Sequence, residues 1–177
     1  TCWRMVLDLN KCLFFFNGAG ERRAKPVRYL AVVDGIIGGE GNGPMAPDAK
    51  PCGVILAGTH PLAVDCAAAT LMGFDPQRIR MLKNAFAMRE LNFAPFKLED
   101  IEVVSNKPAW NGGLAAMEET FDFKPHFGWT GAIENQSAPV LVYSVDGRRN
   151  LQGSVITPPV ESAITSADGI GRSGRIG

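Results

Sequence analysis

Histidine is nearly absent from this chain: His60 and His126 are the two among 177 residues. That scarcity leaves few groups able to move protons near neutral pH. No serine or cysteine nucleophile motif accompanies either imidazole, so triad chemistry is disfavoured. Net charge is lacking too, because 18 basic residues balance 18 acidic ones. No global field therefore recruits nucleic acid or an anionic membrane. No apolar run is long enough to span a bilayer, and the longest, Cys12 to Phe16, sits inside a helical pattern. A basic-apolar-small signal layout is missing. The four cysteines, Cys2, Cys12, Cys52 and Cys66, show no C-x-x-C spacing and sit among apolar residues. They read as buried, reduced thiols of a cytoplasmic protein rather than as a disulfide framework or a zinc site.

What is present is enough to build a core, with 46% hydrophobic and 20% charged residues. Residues 1–16 read as a helix in which Val6, Leu9, Leu13 and Phe16 recur at helical spacing. Arg4 and Asp8 lie one turn apart on its polar stripe, at the spacing of a surface pair. Asn17-Gly18 stops the helix. Arg28 to Val33 and Gly53 to Ala57 read as strands, and Tyr29 to Val33 is apolar without alternation, as in a strand buried on both faces. Leu62 to Met72 is the strongest helix, with Thr59 or His60 as cap, Pro61 in its first turn and Gly73 at its end. Asp75 caps a further helix from Pro76, with Ile79, Leu82 and Phe86 facing inward. Ile101 to Val104 and Val140 to Val145 read as strands. The fold class is α/β, a mainly parallel or mixed sheet with helices packed on it and a glycine-rich loop at the strand ends. Residues 1–146 form the domain and residues 147–177 a polar, flexible tail. The chain opens at Thr1 inside an ongoing helix, which reads as a fragment with sequence missing upstream.

The glycine-rich stretch carries the functional reading. Val32-Val33-Asp34-Gly35-Ile36-Ile37-Gly38-Gly39-Glu40-Gly41-Asn42-Gly43-Pro44 takes an apolar strand into a carboxylate and then a run of glycines. If the flanking strands are parallel, Asp34 and the Gly58-Thr59-His60 turn emerge at one sheet edge, where open α/β folds bind ligands. If they are antiparallel, the two turns lie at opposite ends. The glycine N–H groups suit an anion, but the lysine and hydroxyl of a phosphate-binding loop and the G-x-G-x-x-G spacing are missing. Asp65 stands alone in the apolar helix, so a buried carboxylate bonded to loop N–H groups or to a cation is expected. Asp34, Glu40 and Asp65 together would make an oxygen-rich set for a hard divalent cation such as magnesium. Asp34-Gly35 is also ordinary turn chemistry. The ligand-binding candidates are Asp34, Glu40, Gly41, Asn42, Gly43, Thr59, His60 and Asp65. His126, among aromatics in Pro125-His126-Phe127-Gly128-Trp129, reads as structural.

Several segments resemble one family. They are Trp3 to Asn10, Val33-Asp34-Gly35-Ile36 with Glu40 to Pro44, Gly53 to Thr59, Pro61-Leu62-Ala63-Val64-Asp65 and Leu71 to Pro76. Over residues 1–130 the chain is similar to the C-terminal half of the domain of unknown function 362 proteins. The family is bacterial and archaeal and has no settled activity. Some members carry a ferredoxin-like domain with four-iron clusters, which implies redox chemistry for those members. The family's upstream half holds a Lys-x-His and Lys-Asn region that this chain does not contain, and His60 replaces its usual Asp or Asn. An iron–sulfur cluster is therefore expected only through a region absent from this chain. The resemblance implies part of a metal- or iron–sulfur-linked redox enzyme whose missing N-terminal region completes the site. The alternatives are a non-catalytic module binding a small anionic ligand or redox partner, and a structural half-domain.

Overall fold

A computed structural model of the chain describes residues 2–88, 91–117 and 119–135. The strand expected at Val140 to Val145 and the tail expected from residue 147 lie outside the described residues. Helix α1 runs Cys2–Phe15, strand β1 Ala31–Asn42, strand β2 Ala46–Gly58, helix α2 Pro61–Met72 and helix α3 Arg80–Ala87. Short strands β3, Glu102–Val103, and β4, Gly112–Gly113, follow. The fold is mixed α/β, but its sheets are small and antiparallel. β1 pairs with β2 from Ala31↔Gly58 to Asn42↔Ala46, and β3 pairs with β4. No helix among the described residues is long and apolar enough to cross a membrane.

This pairing overturns the expected parallel sheet and glycine-rich loop. The glycines of the run are strand positions, and the chain reverses at Gly43, Pro44 and Met45. Asn42-Gly43 followed by a reversal is hairpin chemistry. The turn therefore lies at the far end of the ladder from Gly58 and Pro61, so the expected shared edge does not form. The glycines serve close packing instead. A Cβ on Gly38 would sit 2.6 Å from Phe123 Cζ, so the missing side chain is what admits this ring. The pairing slips between Gly35 and Ile37. Before the slip the odd residues of β1 are the less exposed; beyond it Gly38 and Glu40 are.

Helix α2 is apolar nearly all round, and Leu62, Val64, Cys66, Ala67, Ala69 and Leu71 are buried. Gly73 closes it in the left-handed conformation at φ 88°, with its N–H on the Thr70 carbonyl. Pro61 takes the first turn, but neither Thr59 nor His60 caps with its side chain. Asp75 accepts the Gln77 N–H, and residues 76–79 form a turn, so α3 begins at Arg80 rather than Pro76. Leu82 is buried as expected, while Ile79 and Phe86 are partly so.

In α1 the inward face differs from the expected one. Leu7, Phe14 and Phe15 are buried, while Leu9 and Leu13 are 60% and 51% exposed. Two apolar stripes occur on this helix, and the aromatic one makes the core. Asp8 pairs with Lys11 at 3.1 Å, and Arg4 lies over the Trp3 ring, so the expected Arg4–Asp8 pair does not form. All four cysteines are free, but Cys2 and Cys12 are exposed on α1 rather than buried. Strand β1 is covered on one face alone, with Val32 61% exposed. The expected two-face burial fails because no second layer covers it among the described residues.

The two stripes of α1 can be told apart by truncation. Leu7→Ala should cost about 2–4 kcal/mol in urea unfolding, and Leu9→Ala no more than about 0.5 kcal/mol. Equal costs would contradict this packing.

Candidate functional site

Glu40 and its partners hold the hairpin tip. Its carboxylate accepts the Lys50 ammonium at 2.8 Å and the Lys124 backbone N–H at 3.0 Å, with Lys124 Nζ at 3.6 Å. Lys50 also donates to the Asp122 carbonyl at 2.6 Å and sits 5.1 Å from the Phe123 ring centroid. Gly41 N–H donates to the Lys124 carbonyl. On the other side, Phe121 and Phe123 N–H groups donate to the Leu71 and Met72 carbonyls at 2.7 Å. The 121–124 segment thus answers the open carbonyls at the end of α2 and ties them to β1. Burial raises the pKa of Glu40, but the Lys50 bond, the Lys124 N–H and both ammonium charges outweigh it, so the pKa lies below the usual carboxylate value.

Beside this network opens a groove of about 470 Å³. Gly39, Glu40, Gly41 and Gly43 form one wall, Asp65, Ala68 and Met72 of α2 another, and Phe123, His126 and Trp129 a third. The structure thus brings Glu40, Gly41, Gly43 and Asp65 to one place. Asp34, Asn42, Thr59 and His60 do not line it. Asp34 lies on the outer face of β1, where its carboxylate accepts the Ile36 N–H at 3.1 Å. His60 sits among aromatic rings, with Phe96 at 4.8 Å and Phe93 at 5.7 Å. Its Nε2 is 2.9 Å from the Phe93 carbonyl, which assigns the proton to Nε2 and leaves Nδ1 buried without a partner. Burial lowers the His60 pKa, opposed by that bond.

Asp65 departs from expectation. It is open to water on one side rather than buried, and its carboxylate has no hydrogen-bond or ion-pair partner among the described residues. Its pKa is raised, because the apolar side chains around it displace hydration from the carboxylate. Cys66, buried beside it, has its thiol pushed up to about 12 by burial and by the Asp65 charge, so it is inert. His126 is structural in its contacts, accepting the Gly128 N–H through Nδ1. Lys50, Lys124 and Trp129 were not legible as site residues. The lysines lie 10 and 84 residues from Glu40, a separation at which no local pattern reports contact.

A divalent cation does not fit the expected ligand set. Asp34 is on the outer face, Glu40 is bound by two lysines, and Asp65 stands on another element. Among the described residues no three His, Cys, Asp or Glu side chains are placed to share an ion.

Acid titration reads the tip directly. The depressed pKa of Glu40 contributes stability that is present above its unfolded value near 4.5 and lost as pH falls through the folded value. Glu40→Gln should lower the melting temperature at pH 7 and flatten its fall below pH 4.5. A parallel downward shift at every pH would contradict the pairing.

Residues 2–70 match the family model described as domain of unknown function (DUF362). The matched span takes in α1, the hairpin and all but the last two residues of α2. No curated protein and no solved structure matches the chain.

Proposed function

We propose that this chain, whose residues 2–70 match the DUF362 family model, is a ligand-binding module with its site in the groove beside the hairpin tip. One observation carries the reading: an Asp65 carboxylate with no side-chain partner among the described residues, at a mainly apolar groove of about 470 Å³ whose other charged lining groups, Glu40 and Lys124, lie 3.6 Å apart. A mostly apolar cavity with a few placed polar groups is the usual form of a small-molecule site. The other charged groups there lie on one another, because Lys50 and Lys124 both approach Glu40, with one positive charge in excess on the exposed Lys124. Asp65 is therefore the negative group on the groove walls that has no cation beside it among the described residues.

That charge selects the ligand. An anionic group would meet Asp65 and find Gly41 N–H already donating to Lys124. A compact molecule with an aromatic or aliphatic body and one ammonium group would fill the apolar walls and neutralise Asp65. Trp129 and Phe123 add faces that attract cations. The reading of a share in a metal- or iron–sulfur-linked redox enzyme draws no support from the placement of the carboxylates. The cluster-bearing region it would need is not in this chain.

Two probes of equal shape separate the possibilities. With 3-phenylpropylamine the chain should show saturable binding by calorimetry, with Kd on the order of millimolar for so small a ligand. The matched carboxylate, 3-phenylpropionate, should not bind. Asp65→Asn should weaken amine binding by about tenfold, the loss of one charge-assisted contact. Because the free carboxylate is desolvated, the same change should leave the melting temperature at pH 7 unchanged or raise it. Equal binding of both probes, or full retention by Asp65→Asn, would rule the reading out.

A further inference from the structure

The outer edge of β1 is open. Among the described residues β1 pairs with β2 alone, and no other backbone–backbone hydrogen bond involves residues 28–38. The outer face beside that edge is apolar: Leu30 is 66% exposed, Val32 61% and Ile36 52%, with Ile55 of β2 beside them. Exposed apolar side chains grouped on one face in this way mark an interaction surface. Neither proline nor lysine interrupts the sequence from Tyr29 to Asn42. Those are two of the means by which an edge strand is protected from pairing.

We propose that the occupant of this edge is a second copy of the chain, paired antiparallel about a two-fold axis at Ala31. The two hairpins then form one four-stranded sheet. The sequence is self-complementary about that point. In such a pairing residue i faces residue 62 − i of the copy, because 31 + 31 = 62. Arg28 then faces the partner's Asp34, and Leu30 faces the partner's Val32, each twice by symmetry. All four side chains are exposed, and neither Arg28 nor Asp34 has an ion pair among the described residues. Moving the axis one residue either way sets Asp34 against Leu30 or Arg28 against Val32. The charges therefore select one register.

The edge also explains a mismatch within the chain. Arg28 to Val33 reads as one strand in the sequence, yet β1 begins at Ala31 because β2 ends opposite it at Gly58. Pairing with a copy supplies Arg28, Tyr29 and Leu30 with the strand they lack.

Charge exchange tests this on the full 177-residue chain. Sedimentation velocity across about 1 to 100 µM should show a reversible dimer. Asp34→Arg and Arg28→Asp should each weaken it at least about tenfold, since each sets like charges opposite one another. The double variant should restore the dimer, and an equimolar mixture of the two single variants should form a heterodimer. Both positions are exposed, so circular dichroism should show the parent's secondary structure in every variant. A parent monomeric at the highest concentration overturns the proposal. So does a dimer that neither single variant weakens, or a double variant that stays monomeric while folded.

Discussion

The structure depends on burying a helix that has no polar side. Helix α2 carries Leu62, Val64, Cys66, Ala67, Ala69, Thr70 and Leu71 in the core, and Thr70 turns its hydroxyl back to the Cys66 carbonyl at 2.9 Å. An isolated two-stranded ribbon is marginal in water, so the hairpin needs α2 as much as α2 needs the hairpin. Helices α1 and α3 contribute Leu7, Phe14, Leu82 and Ala85 to the same core. The 121–123 segment then completes the end of the helix by taking its last carbonyls. Burial at roughly 25 cal/mol per Å² of apolar area makes this contact set the main stabilising term.

The polar network at the hairpin tip is secondary in energy but decides the chemistry of the groove. Glu40 has a side chain 9% exposed, and burying that carboxylate would be costly without cations beside it. Lys50 and Lys124 provide them, and Lys50 spends a second donor on Asp122. Two ammonium groups on one carboxylate leave one positive charge in excess, and it falls on Lys124, whose side chain is 73% exposed. Asp65, one element away, finds no cation among the described residues. The structural pairing and the ligand preference are thus one distribution of charge.

Much of the helical part was legible because local signals agreed. The extent of α1, the Pro61 start of α2 and its Gly73 end follow from capping, glycine and proline chemistry that acts over a few residues. The inward face of α1 was not, since Leu9 and Leu13 repeat as regularly as Leu7 and Phe14. Periodicity alone cannot rank two apolar stripes. The hairpin was hidden by its own glycines, which resemble a loop in composition but serve Phe123 in space. Asp65 was singled out correctly as an anomaly in its helix and misjudged in burial, because exposure on one side depends on where α3 and the tip come to rest. Glu40 was legible as a residue of interest, while its lysines were not.

The slip in register between Gly35 and Ile37 unites these features in a single strand. Strand side chains alternate between faces, so an unbroken β1 with Val33 and Gly35 inward would turn Glu40 outward. Glu40 would then point away from Lys50, which lies inward on β2, and the tip would lose its tie to residues 122–124. With the slip, Ile36 and Ile37 both remain exposed, and Gly38 and Glu40 turn inward to meet Phe123 and Lys50. The first half of β1 keeps an exposed apolar face and a free edge, and the second half becomes a wall of the groove. One displaced pairing thus lets adjacent halves of a strand meet opposite requirements, solvent-facing self-complementarity before Ile36 and an ion-paired inner wall after Ile37.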